Sequence, residues 1–378
     1  MSLSTLQPVS KPETASAGSD PLYLTLDAWR GIAGLSVVGF HATKGVLNRF
    51  PEMENHLGCT AGLWGWLGVQ LFFVVSGYCI TGAAVSNLRR SAFPFRAFVL
   101  ARFRRIYPTC WFALLGTATF MLAAAKMASK GYLRDDIFTQ IGFFQHSVLF
   151  YVSNLTLTQL LLHQPLLLDV TWSLCYEVAF YFIAASVLLL TLNWVKKERN
   201  FLNALHGLTV ACLTLLIIVP SRCGDPFDLW PQFGMGVLAF DWISYSHQKS
   251  SRGWAAVIGV QMLVLSGIDH GTLGAMQQPA RASCLVCLVF AILLVVLYRW
   301  DLALSQLRPI KWLSGIGMFS YSLYLTHTLT LRAVNQVARL IHLSDPPIVF
   351  AIGIVISLIA ARIFYQCFER PFISARKH

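Results

Sequence analysis

A length of 378 residues would suit two or three soluble domains. However, 56% of the residues are hydrophobic and only 12% are charged, about half the charge of an ordinary soluble protein. That balance excludes a water-covered globule and points to one all-α, polytopic bundle of transmembrane helices, in which each backbone hydrogen bond closes within its own segment. The formal net charge of +12 is explained below by the placement of basic loops and calls for no nucleic-acid partner.

The first twenty residues, Met1 to Asp20, are rich in Ser, Pro, Thr and Ala and lack the apolar core of a signal peptide. Residues 1–21 are expected to be a disordered cytoplasmic leader, residues 22–373 the membrane domain and residues 374–378 a short cytoplasmic tail. A spanning helix needs ~20 mostly apolar residues. Ten runs qualify, at about 28–47, 62–85, 106–125, 172–192, 204–220, 229–245, 254–268, 282–298, 313–330 and 347–367.

The first run contains Arg30 and His41, eleven residues apart. In a helix this is about three turns, so both side chains share one face, ~16 Å apart along the axis. A charge in the bilayer is a functional hypothesis by default, although Arg30 could be an interfacial anchor and His41 a core histidine held by a carbonyl. The second run holds Ser76-Gly77-Tyr78. A Ser-Gly pair permits close helix packing or a local break. No nucleophile elbow is implied, because its glycine pattern and strand context are missing. The loop that follows carries Arg89, Arg90, Arg96, Arg102, Arg104 and Arg105 without an acid. Arg102 and Arg105 are spaced to share a helical face, and paired guanidinium groups suit phosphate.

The stretch 137–162 is an eleventh apolar candidate. Counting it as a span would place Lys196, Lys197 and Arg199 outside, so it is expected to be an interfacial or re-entrant piece of one long outer segment. The fourth run opens Thr171-Trp172-Ser173-Leu174-Cys175-Tyr176-Glu177. Glu177 lies about two turns below the outer surface, the depth expected for His41. A His41–Glu177 pair is therefore allowed; the carboxylate would fix the imidazole tautomer and raise its basicity. The ninth run carries Ser320-Tyr321-Ser322-Leu323-Tyr324-Leu325-Thr326-His327, which places Tyr324 and His327 near the same level. These groups could line a cavity or act as hydrogen-bonding glue between helices.

Loop charge sets the orientation. The basic loop after the second run, Lys196-Lys197-Glu198-Arg199, Lys249 with Arg252, Arg299 with Arg308 and Lys311, and the tail Arg376-Lys377-His378 all fall on one side, taken as cytoplasmic along with both termini. Nine cysteines are present, most of them in apolar runs where cysteine acts as a small hydrophobe. Cys284 and Cys287 have CxxC spacing but no second pair or neighbouring His, so no metal site is expected. Cys59 and Cys223 fall in connecting loops, where a disulfide is sterically open but unsupported.

These segments, in this order, resemble the acyltransferase 3 family of membrane acyltransferases. The resemblance rests on Leu26-Asp27-Ala28-Trp29-Arg30-Gly31 with His41, on Gly68 through Tyr78, on Arg102-Phe103-Arg104-Arg105-Ile106-Tyr107-Pro108, on Thr171-Trp172-Ser173-Leu174 with Glu177, on Ser320 through His327, and on Phe368-Glu369-Arg370-Pro371. It implies a ten-helix bundle that takes an acyl group, expected to be acetyl, from cytoplasmic acyl-CoA. The implied acceptor is a hydroxyl of a carbohydrate or glycosylated molecule. Arg30, His41 and Glu177 match the family's catalytic positions, with Arg102, Arg105, Ser76, Tyr78, Tyr324 and His327 expected to bind acyl-CoA or acceptor. Acetyl-CoA is then a donor substrate; no bound cofactor is expected. The expected location is the cytoplasmic (inner) membrane of a bacterium. Many members carry a hydrolase-like domain after the bundle; this chain reaches His378 soon after the last run, so none is expected. Where many members have a second acid beside Glu177, this chain has Val178. The competing expectations are a transporter, which also places polar groups at mid-membrane, and an envelope scaffold. Against transport, the Arg30/His41 and Glu177 features have no counterparts in the second half.

Overall fold

Among the described residues, ten long helices form where the ten apolar runs were read. The structure, a computed structural model, describes residues 23–129, 146–220, 223–268, 271–274 and 278–374. The expected leader, the last four residues of the tail and residues 137–145 of the eleventh candidate lie outside the described residues. The helices are α1 (Leu26–Leu47), α2 (Gly68–Arg90), α3 (Pro94–Ser129), α4 (Thr171–Thr191), α5 (Lys197–Ile218), α6 (Trp230–Tyr245), α7 (Lys249–Gly267), α8 (Ala280–Leu297), α9 (Ser320–Leu340) and α10 (Pro346–Phe364). Among the described residues the only strands are the two-residue antiparallel pair Thr272–Leu273 and Gln278–Pro279.

The segments Leu57–Arg90, Pro94–Met127, Thr171–Thr191, Lys197–Ile218, Ala280–Gln306 and Pro346–Ile373 are long and apolar enough to cross a membrane. The chain is thus a multi-pass membrane protein, with six qualifying helices among the described residues in place of the ten expected spans. The shortfall has local causes. Asp27, Arg30 and Lys44 add charge to α1, Arg332 and Arg339 to α9, and Lys249 and Arg252 to α7, while α6 has only 16 residues. Residues 146–162 contain one nine-residue helix, Val148–Thr156, too short to cross the hydrocarbon.

Two expected boundaries moved. Helix α3 starts at Pro94 rather than near 106 and takes Arg96, Arg102, Arg104 and Arg105 into the helix. Arginine is a good helix former, and proline suits the first helical position. The ninth run divides into Arg308–Gly317 and α9, which then continues to Leu340. At the start of α10 the Asp345 carboxylate caps the helix by accepting from the Ile348 amide at 3.0 Å. All nine cysteines are free, so no Cys59–Cys223 disulfide forms.

The chain divides into two compact units. The first comprises Met1–Val37, Trp64–Leu100 and Ala179–Ser320. Its centre is the seam of α2 and α6. A Cβ on Gly77 would lie 2.1 Å from the Phe233 carbonyl oxygen, and one on Gly236 would lie 2.0 Å from that of Val74. The Ser-Gly pair therefore marks close packing, and α2 continues unbroken through it. Phe180 stacks on Phe233 beside this seam, ring centroids 4.5 Å apart. Asp301 ties down the start of α1 by accepting from the Thr25 amide at 3.0 Å and its hydroxyl at 2.7 Å. Asp241 of α6, fully buried, accepts from Arg199 at 2.8 and 3.1 Å, from Ser251 at 3.0 Å and lies 2.9 Å from His206 Nε2.

The second unit comprises Val38–Leu63, Ala101–Val178 and Tyr321–His378. Here the last three turns of α1 run beside α9. Buried Glu369, in the π-helical turn Tyr365–Glu369, accepts from the Ser322 amide at 3.1 Å and from its hydroxyl. That bond satisfies a donor in the first turn of α9, where backbone N–H groups have no helical partner. It also fixes the helix that carries Tyr324 and His327.

Candidate active site

The site is built in the second unit, from the α9 histidine outward. His327 is fully buried. Its Nδ1 lies 3.0 Å from the Leu323 carbonyl oxygen and 2.9 Å from that of Tyr324. A carbonyl only accepts, so Nδ1 carries the proton and Nε2 presents a lone pair. Among the described residues that buried Nε2 has no hydrogen-bond partner. The ring of His41 lies next to it, centroids 5.0 Å apart and planes at 59°. His41 is half-buried, its other face against the Phe40 ring edge.

Tyr324 extends the group on the far side of His327, ring centroids 5.9 Å apart. Its hydroxyl donates to the Val170 carbonyl at 3.1 Å and lies 2.6 Å from Ser173 Oγ. Ser173 belongs to the Trp-Ser-Leu segment that opens α4, so this segment and the Tyr-x-x-His pair of α9 meet through one phenol. Glu177 follows one turn after Ser173, and its charge acts on the Tyr324 phenol. The contact seen for His41 on α9 is the ring of His327. On its other flank His327 is followed by Tyr324.

Arg102 and Arg105 are half-buried on α3 in the second unit, three residues apart. The next turns of α3 are anchored by Tyr107, whose hydroxyl donates to the Thr156 carbonyl at 3.0 Å, and by Tyr321, whose hydroxyl donates to that of Ile106 at 2.9 Å. Arg30, Ser76 and Tyr78 belong to the first unit. Arg30 donates to Asp27 at 2.8 Å and to the Cys79 thiol at 3.2 Å. Tyr78 is buried edge-on against Tyr23, and Ser76 is half-buried on α2.

Comparison with known proteins shows the family of the chain. The model of the acyltransferase domain matches residues 23–366. The chain belongs to the acyltransferase 3 family. The peptidoglycan O-acetyltransferase OatA of Listeria monocytogenes is 23% identical over 374 residues, covering 92% of this chain and 55% of that protein. The O-acetyltransferase OatA of Staphylococcus aureus is 26% identical over 371 residues, covering 93% and 57%. The chain thus spans just over half the length of these curated relatives. No solved structure matches it. Within this acyltransferase 3 chain, His41 lies beside His327, His327 beside Tyr324, and Tyr324 bonds to Ser173.

Three features escaped sequence reasoning. Ser173 stood in a recognised motif, but its partner Tyr324 is 151 residues away. Arg332 pairs with Asp169, both about half-exposed. Asp241 is an acid in the middle of an apolar run, and that alone should have singled it out.

Proposed function

We propose that this chain is a membrane O-acyltransferase that moves an acetyl group from acetyl-CoA to a hydroxyl of a carbohydrate or glycosylated acceptor. The carrying observation is the His41–His327 pair: one imidazole is locked with its Nε2 bare, and the other is half-buried beside it with no hydrogen-bond partner among the described residues. A neutral imidazole of this kind suits a general base. Arg102 and Arg105 hold the phosphates of the donor at the cytoplasmic mouth. His41 takes the proton of the acceptor hydroxyl as its oxygen attacks the thioester carbonyl. The new ester C–O bond forms, the C–S bond breaks, and the thiolate leaves as coenzyme A after recovering a proton. Tyr324, held by Val170 and Ser173, fixes the wall behind His327, and Glu177 acts on it there.

Membership of the family and the O-acetyltransferase activity for which the relatives are named support the reaction class. The basic loops support an orientation with both ends cytoplasmic, and the bacterial relatives support the inner membrane of a bacterium. Purified protein in nanodiscs, supplied with acetyl-CoA and a saccharide, is expected to release free thiol in step with ester formation. Solute exchange across liposomes without any acceptor-dependent thiol release would overturn the transferase in favour of a transporter.

A further inference from the structure

The surroundings of His41 bear on the acceptor. In the second unit α1 and α9 lie side by side and point the same way. The His41 ring faces that of His327, a Cβ on Gly45 would lie 2.7 Å from Asn335 Nδ2, and Arg49 donates to the Ala338 carbonyl at 3.2 Å. These contacts advance together toward the C-terminal ends of both helices. Residues between the histidines and the next contact therefore lie on one side of the histidine pair.

Two of those residues are cations. Lys44 is three residues past His41 and Arg332 five past His327, rises of ~4.5 and ~7.5 Å. Both charges act on the His41 ring. Lys44 is exposed, its ammonium 5.2 Å from the Phe40 ring centroid, and it has no carboxylate partner among the described residues. Arg332 pairs with Asp169, and both side chains are about half-exposed. One carboxylate therefore stands against two cations. Glu52 and Glu54 come only after the end of α1, eight and ten positions beyond Lys44. In the other direction along α9, the approach is closed by the buried Tyr324 and its bond to Ser173.

We propose that Lys44 and Arg332 form an acceptor subsite, and that the acceptor is an anionic saccharide whose carboxylate or phosphate rests between them while a neighbouring hydroxyl reaches His41. This rests on the transferase reading above. The rise of ~4.5–7.5 Å from histidines to cations is on the scale of one sugar ring. The exposed Asp169 carboxylate offers an acceptor to a neighbouring hydroxyl of the saccharide.

The test uses the full chain in nanodiscs with acetyl-CoA and three oligosaccharides of equal length: neutral, carboxylate-bearing and phosphate-bearing. The wild type is expected to use at least one anionic saccharide roughly tenfold better than the neutral one in kcat/KM, and the better of the two identifies the anion. Lys44→Glu, an exposed position where folding tolerates the change, should raise KM for the anionic saccharide roughly tenfold, about 1.4 kcal/mol. It should leave KM for acetyl-CoA and for the neutral saccharide unchanged. Lys44→Arg should retain the preference, and Arg332→Gln should weaken it. Equal use of all three saccharides by the wild type overturns the subsite, as does a Lys44→Glu effect that falls on acetyl-CoA instead, since the cations would then serve the donor. Failure of the wild type to acetylate any saccharide in a His41-dependent way overturns the transferase reading itself, and the subsite with it.

Discussion

Gly77→Ala tests whether the second-helix motif is a packing device. A Cβ at this position would meet the Phe233 carbonyl oxygen at 2.1 Å and its carbon at 2.9 Å, where ordinary contact begins at 3.4 Å. The partners are backbone atoms of α6, so no side chain can swing aside, and the helices must part by about 1.3 Å, the difference between contact and clash. Overpacking of this kind costs about 1–3 kcal/mol, enough to outweigh the ~1 kcal/mol that alanine gains over glycine in a helix interior. Gly259 on α7 is the internal control, since nothing lies within 4 Å of an added Cβ there. Gly259→Ala should keep the propensity gain and be neutral or mildly stabilising. The assay is a thermal ramp in detergent with a thiol-reactive dye, reading exposure of buried Cys284 and Cys287. Gly77→Ala should expose these thiols at a lower temperature than wild type. Adding Gly236→Ala should cost less than the sum of the two single changes, because both press on one contact. A Gly77→Ala protein as stable as wild type would refute the seam.

Other consequences follow from individual contacts. Tyr324→Phe removes the hydroxyl between the Val170 carbonyl and Ser173, leaving buried polar groups unpaired at about 1–3 kcal/mol, and should lower kcat more than it raises the KM for acetyl-CoA; steady-state kinetics with an unchanged kcat would count against it. Asp241→Ala leaves Arg199 and buried His206 without their shared carboxylate, so it should destabilise the protein by about 3–5 kcal/mol and reduce the yield of folded protein on size-exclusion chromatography.

The positions of the ten helices were legible because apolar runs and loop charge report burial directly. Their ends were less so. The arginines before Ile106 read as loop charge, yet arginine propagates a helix readily and snorkels from it, so α3 began twelve residues earlier than expected. Depth was legible too: His41 and His327 were placed at one level, and the structure brings their rings together. Rotation about each helix axis was not. Equal depth allowed His41 to meet Glu177, but the contacts along α1 and α9, among them Gly45 against Asn335, turn His41 to His327. Such contacts join residues far apart in the chain, and no local pattern announces them. The same holds for Tyr324 with Ser173 and Glu369 with Ser322. Asp241 is the opposite case, because its charge inside an apolar run was visible in the sequence without its partners.

The central claim is that His41 drives acetyl transfer from acetyl-CoA to a hydroxyl. It is tested most directly by supplying acetyl-labelled acetyl-CoA and a saccharide acceptor to purified wild type and His41→Ala, and counting label recovered as alkali-labile ester on the saccharide. The account predicts labelled ester with the wild type and a rate lower by about 10²–10⁴-fold with a His41→Ala protein that unfolds at the wild-type temperature. Transfer by that variant at the wild-type rate would contradict it.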